Sequence, residues 1–217
     1  NYGKILAEYV FIKNFRKSKK FTEKIFIKNQ NELENIKKST SPVIFISGHF
    51  SNFELMAMYL EKSGINLAAI YRPLNNIFLN PIMEYIRKNY ICKNQIKKGI
   101  GGTKEIIDLI KKKNSIALMV DQRLGESKRY PFFGKPAHTT TLPAQLALKF
   151  NCKIIPIFLK RDKNNFFLME ISNPIDFKKT SDFDKDKENI TIKVNQIIEE
   201  MIKRNPGQWI WTHGRWK

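Results

Sequence analysis

The chain of 217 residues is poor in cysteine and histidine: it holds Cys92, Cys152 and three His. Two thiols cannot build a disulfide framework, and so few soft ligands make a poor metal-binding set. Both cysteines read as buried thiols of a reducing compartment. No stretch approaches the roughly 20 apolar residues of a transmembrane helix, and no secretory signal pattern is visible. The chain opens on Asn1 and not on Met, and Tyr2 to Phe11 has the texture of mid-protein sequence. A truncated protein with a membrane anchor upstream is therefore the expectation. Repeats, linkers and low-complexity blocks are lacking as well. With 42% hydrophobic residues, this length can bury a full core, and disorder, collagen and coiled coil are excluded.

Acidic residues are also scarce. Twenty Asp and Glu face 39 Lys and Arg, leaving a formal charge of +19. A field of that sign favours anionic partners: nucleic acid, an acidic membrane face or an acidic carrier protein. The 31 Lys against eight Arg, in a chain crowded with Ile and Asn, also fit a simple coding bias. No nucleic-acid motif, RNP aromatic pattern or zinc spacing accompanies the charge.

What is present alternates. Residues 1–41 read as a basic helical segment, with Arg16, Lys17, Lys19 and Lys20 interleaved by Phe11, Phe15 and Phe21, suited to an anionic surface. From Pro42 onward, short apolar runs (Val43–Ser47, Leu67–Tyr71, Ile116–Val120, Lys153–Lys160, Phe166–Ile171) read as strands. Between them, Asn52–Lys62, Asn76–Lys88, Lys104–Lys113 and Thr141–Phe150 read as helices, and Lys185–Arg204 as a long closing one. Gly99–Gly102 reads as a loop with Thr103 as the following N-cap. Strands alternating with helices predict an α/β fold: one domain over 42–217, a mostly parallel or mixed sheet covered by helices.

Chemistry-bearing residues sit where strands end, the side of an open α/β sheet that faces ligand. Gly48-His49-Phe50-Ser51-Asn52-Phe53-Glu54 follows the first strand. Gly48 allows close approach, and Glu54, one turn into the next helix, can reach back to one nitrogen of His49. The other nitrogen is then free to take a proton from a hydroxyl. Tyr71-Arg72-Pro73 ends the second strand and offers a guanidinium fork for phosphate or carboxylate. Asp121-Gln122-Arg123 ends the third. Pro131-Phe132-Phe133-Gly134-Lys135-Pro136 and three consecutive Thr follow it, and the tail packs Trp209, Trp211 and Trp216 into eight residues.

The ordered set GHFSNFE, YRP, DQR…PFFGKPA…TTLPAQLAL, IIPIF and QWIWTHGRWK resembles the bacterial lipid A biosynthesis acyltransferases, the lauroyl/myristoyl-type members of the glycerolipid acyltransferase superfamily. The matching blocks run from about Pro42 to Lys217. The resemblance implies a glycerol-3-phosphate-acyltransferase-like fold, with His49 as general base and Glu54 as its partner in a catalytic dyad. Arg72 would bind an anionic acceptor group, and Asp121, Gln122 and Arg123 would lie on the acceptor or pantetheine side. Gly48, Asn52, Pro73, Gly134, Pro156, Trp211, His213, Arg215 and Trp216 would be motif residues with structural roles. The implied donor is an acyl thioester on acyl carrier protein and the implied acceptor a hydroxyl of a lipid A precursor. No cofactor beyond the carrier's phosphopantetheine, no metal and no nucleic acid is implied. The implied location is the cytoplasmic face of a bacterial inner membrane.

Two departures stand out. The family usually has Gly and Trp in a GNWE block where this chain has Ser51 and Phe53, and Gly214 departs from the usual HRRW tail. The family's N-terminal membrane helix is not within this sequence. The acceptor itself stays open between lipid A precursor and a glycerolipid or glycosyl-lipid, with a non-catalytic basic nucleic-acid- or membrane-binding module as the alternative of another class.

Overall fold

The computed structural model describes all residues except Asn1, Lys19, Leu124, Glu126, Thr212, His213 and Lys217. Its centre is a seven-stranded sheet built from β1 (Ile25–Lys28), β2 (Val43–Ser47), β3 (Leu67–Tyr71), β4 (Asn94–Lys97), β5 (Ser115–Met119), β8 (Lys153–Arg161) and β9 (Phe167–Ile171). The strand order is β1-β9-β8-β2-β5-β3-β4. All neighbours run parallel except β8 and β9, which pair antiparallel. A separate hairpin joins β6 (Arg129–Phe132) to β7 (Lys135–His138). Its turn has positive φ at Phe133 and Gly134, the pattern of a two-residue turn whose twist matches the strands. Gly134 thus has a backbone reason to be glycine, whereas Phe133 adopts the same region at a cost.

The helices cover both faces, which explains the continuous apolar runs in the central strands. Successive side chains of β2 alternate between two cores. Val43 and Phe45 join α1 (Tyr2–Tyr9), α2 (Ile12–Lys17), α3 (Lys20–Glu23), α4 (Gln30–Lys38) and α5 (Glu54–Lys62) on one face. Ile44 and Ile46 join α7 (Ile100–Lys111), α8 (Leu142–Phe150) and α9 (Phe183–Arg204) on the other. The remaining helix, α6 (Leu79–Ile86), buries none of its residues and runs on into a π-helical turn, Arg87–Ile91.

Four strands are absent from the pattern that the sequence predicts. β1 lies inside the N-terminal segment expected to be helical, and it forms the sheet edge against β9. β4 (Asn-Gln-Ile-Lys) is an edge strand with one buried side chain, Ile96, too polar to show a strand period. The β6–β7 hairpin holds two prolines. Helix α7 begins at Ile100 and not at Lys104, so Thr103 is no cap and bonds back to the Gly99 carbonyl. Gly102 explains the earlier start. A Cβ there would lie 2.0 Å from the Lys97 carbonyl oxygen, so only glycine lets the helix begin this close to β4. Pro156 sits inside β8 opposite Ile46, and its carbonyl accepts from the Ser172 N–H.

Candidate active site

The carboxyl ends of β2, β3 and β5 open on a cavity of about 680 Å³. Its wall carries His49, Phe53 and Glu54 from the segment after β2, Tyr71 and Arg72 from the end of β3, and Gln122 after β5. Much of the rest is apolar, with Met56, Ile70, Ile106, Leu118, Met119, Leu142 and Ile210. One end is cationic, where Arg72, Lys97 and Lys98 meet the start of α7. Lys98, although exposed, loses basicity to desolvation and to its neighbour Arg72, so the two cations already crowd one another. An anion between them would relieve that repulsion.

His49 is oriented by Asp121. Its Nδ1 lies 2.7 Å from Asp121 Oδ1, and its backbone N–H donates to Oδ2 at 2.8 Å. The Trp209 indole N–H donates to the same Oδ2 at 2.8 Å. Asp121 is 3% exposed. Burial opposes its ionisation, yet attraction to His49 and these donated bonds together hold the carboxyl below its usual pKa. An ionised carboxylate only accepts, so Nδ1 carries a proton toward Asp121. In the neutral ring Nε2 is then the lone-pair nitrogen, and it bonds to no described residue. Phe53 packs edge-on against the imidazole at 4.6 Å and restrains its rotation.

Glu54 does not take the place that the resemblance implies. Its Oε1 accepts from Arg87 Nε at 2.9 Å and Nη2 at 2.7 Å, and from the Tyr9 hydroxyl. The cause is local: the chain passes through Ser51 with φ 49° and enters α5 with Glu54 directed at α1 and the π-helical turn. Asp121, in turn, was expected to touch substrate; it is buried behind His49 and its oxygens are occupied by protein donors. The Tyr9 hydroxyl is raised far above its ordinary pKa, first by burial and then by the Glu54 charge, so it stays a donor. A neighbouring anchor comes from Glu8, which pairs with Arg161 and accepts from Asn52 Nδ2 at 2.7 Å. Helix α1 is thus clamped to the C-terminal side of the His49 segment, at Asn52 and Glu54.

The other expected residues divide. Arg72 and Gln122 line the cavity. Arg123 is exposed and donates to the Gly125 carbonyl, outside the cavity wall. Pro73 continues the chain away from Arg72. Gly48 is needed for close approach, since a Cβ would lie 2.8 Å from the Phe50 ring and 3.3 Å from Asp121 Cγ. The tail reaches the site itself: Ser51 N–H donates to the Gln208 carbonyl and Ile210 N–H to the His49 carbonyl. Arg215 is 2% exposed, stacks 4.0 Å over Phe132, and donates to the His138 carbonyl, Thr139 and Asn195. Burial without a bonded carboxylate pulls its pKa down to about 10. Trp216 packs on Phe132, while Trp211 is exposed and stacks on Trp209. His213 lies outside the described residues. Arg87, Tyr9 and Glu8, and the part that Trp209 plays in the site, escape the sequence reading, because their roles depend on partners 33 or more positions away in the chain. Among the described residues no three His, Cys, Asp or Glu side chains gather in a way that could hold a metal ion.

The helix-covered, mostly parallel sheet has a counterpart among solved structures. The 1-acyl-sn-glycerophosphate acyltransferase PlsC of Thermotoga maritima superposes over 97% of this chain and 85% of its own, with TM-score 0.52 and 19% identity. That likeness establishes an acyltransferase-type fold. The family model described as bacterial lipid A biosynthesis acyltransferase matches residues 1–217, and the chain belongs to that family. Curated relatives include lipid A biosynthesis acyltransferase 2 of Shigella flexneri, 25% identical over 91% of this chain and 62% of its own. The lipid A biosynthesis acyltransferase of Haemophilus influenzae is 26% identical over 81% and 55%. The lipid A biosynthesis palmitoleoyltransferase of Escherichia coli is 24% identical over 85% and 60%. The chain therefore spans about three fifths of the length of the curated relatives it matches.

Proposed function

We propose that this chain catalyses transfer of a fatty acyl group from an acyl thioester, carried by acyl carrier protein, to a hydroxyl of a lipid A precursor. The observation that carries the reading is the His49–Asp121 pair at 2.7 Å, with His49 on the wall of a cavity that has an apolar lining and basic side chains. Family membership supports the reaction class. The apolar wall suits an acyl chain, and Arg72, Lys97 and Lys98 suit a phosphate on the acceptor.

In this mechanism Nε2 of His49 accepts the proton of the acceptor hydroxyl as its oxygen adds to the thioester carbonyl. Asp121 holds the ring in the correct tautomer and stabilises the imidazolium that forms. Collapse of the tetrahedral adduct breaks the C–S bond, and the thiolate leaves with the proton from imidazolium. Oxygen, sulfur and proton balance, and no acyl-enzyme is required. Glu54 acts at one remove, holding Arg87 in the cavity wall and α1 against the site. The protein would work at the cytoplasmic face of the inner membrane, where donor and acceptor meet.

The test is transfer of labelled acyl from acyl carrier protein to a phosphorylated, acylated glucosamine disaccharide in mixed micelles, with wild type and His49→Ala side by side. Transfer by wild type and loss of at least a hundredfold in the variant is expected. Labelling of glycerolipid acceptors alone would change the acceptor and keep the chemistry. No transfer to any acceptor from folded protein would sink the reading.

A further inference from the structure

The densest run of exposed large apolar side chains among the described residues lies between β3 and the π-helical turn. Ile77, Phe78, Leu79, Ile82 and Tyr85 are all more than half exposed, Phe78 at 80%. These are five of the eleven large apolar side chains exposed among the described residues, and they fall within nine consecutive positions. Phe78 at the N-cap, Ile82 and Tyr85 follow the i, i+4, i+7 spacing of one helical stripe, with Leu79 beside it. Met83 and Ile86 of the same helix pack against the core. The helix is thus apolar inward, as a packed helix must be, and apolar outward, where water would disfavour it.

The exposure is built in. Asn76 Oδ1 accepts from the Phe78 and Leu79 N–H groups at 2.9 and 3.0 Å. Asn80 Oδ1 accepts from Leu74 N–H at 2.8 Å, and its amide donates to Glu84. These bonds fix the turn that holds Ile77 and Phe78 outward.

Charge indicates what covers the stripe. Between Arg72 and Lys98 the sequence has six basic residues (Arg72, Arg87, Lys88, Lys93, Lys97 and Lys98) and one acidic residue, Glu84. Lys97 pairs with Glu84 at 3.1 Å and Arg87 with Glu54 at 2.7 Å. Arg72, Lys88, Lys93 and Lys98 are exposed and pair with no carboxylate among the described residues. An apolar stripe rimmed by cations matches an interface of acyl chains below anionic headgroups. The stripe is bracketed in the chain by cavity residues: Tyr71 and Arg72 line the wall five or six positions before Ile77, and Arg87 does so two positions after Tyr85.

We propose that α6 and the turn before it, from Ile77 to Tyr85, form a docking surface for an anionic phospholipid membrane, with Phe78 and Ile82 as the inserted side chains, so that a lipid acceptor enters the cavity without crossing water. The route of the acceptor rests on the function proposed above; the docking surface does not.

The test is flotation of the 217-residue chain with vesicles of phosphatidylethanolamine and phosphatidylglycerol, compared with phosphatidylcholine alone. Wild type is expected to float with the anionic vesicles and at least tenfold less with the neutral ones. The Phe78→Glu/Ile82→Glu double variant is expected to bind anionic vesicles at least tenfold more weakly with an unchanged thermal midpoint, since neither side chain is in a core. A second readout avoids the charge: Ile82→Cys carrying an environment-sensitive fluorophore should shift to the blue on vesicles. The native thiols do not compete, because burial pushes Cys92 up to about 12 and Cys152 up to about 11. Undiminished flotation of the double variant, or a label that stays in water, overturns the proposal. So does loss of a self-associated species or of carrier-protein binding in the double variant while flotation persists. Vesicle binding through α6 with no acyl transfer would leave docking standing and remove the proposed function. Transfer to a detergent-dispersed acceptor with no α6-dependent flotation would do the reverse.

Discussion

Asp121 and Glu54 are two buried carboxylates beside one histidine, and they keep different company. Asp121 takes the imidazole, the His49 backbone and an indole, none of which carries a fixed charge. Glu54 takes a guanidinium and a phenol. The first arrangement leaves a proton acceptor facing a cavity. The second neutralises charge and ties α1, α5 and the π-helical turn together. The difference teaches that a carboxylate's role near a base is set by which donor reaches it first. Spacing in the chain does not settle that contest.

The largest effect expected from breaking this comparison is on catalysis. His49→Ala should lower the transfer rate by about 10³-fold, within the range for loss of a general base. Asp121→Asn should follow at about 10²-fold in kcat with KM little changed, since the amide can no longer hold Nδ1–H in place. Glu54→Ala separates the two carboxylates. It should cost about 3 kcal/mol of stability in denaturant unfolding, because Arg87 is left buried and unpaired, while kcat falls less than in Asp121→Asn. A larger kcat loss in Glu54→Ala than in Asp121→Asn would return the dyad to His49 and Glu54.

Acid should separate the pair by a gentler route. The folded pKa of Asp121 is depressed, so its contribution to stability is complete above the ordinary carboxyl value of about 3.9 and is lost as pH falls through the lower folded value. The stability gap between wild type and Asp121→Asn should therefore stay flat from neutral pH down to that region and close only below it. The smallest expected effect is a gain. Ser51 holds φ 49° in the left-handed region within the segment that presents His49. Ser51→Gly should stabilise the fold by about 1 kcal/mol and leave kcat within twofold.

The strand ends that carry function were legible because buried parallel strands must be continuously apolar and must stop at a polar residue. The apolar run Val43–Ile46 gives way to Ser47, Gly48 and His49, and the run Ile116–Val120 gives way to Asp121 in this manner. His49, Arg72 and Gln122 followed from that rule and do line the cavity. Edge elements were hidden for the opposite reason. β4 buries one side chain and β1 lies in a basic stretch, so neither carries enough apolar residues to show a period.

The sequence by itself determined the α/β alternation, the two-faced core and the rim on which chemistry gathers, because burial dictates the apolar pattern residue by residue. Only the tertiary structure decided that Asp121 and not Glu54 holds His49, that Trp209 returns from the C-terminal tail to bond that carboxylate, and that α6 and the turn before it hold five apolar side chains outward. Those outcomes depend on donors and acceptors brought together across 33 to 88 positions of chain, and on which face of a helix finds a neighbour. Local propensity does not contain that information.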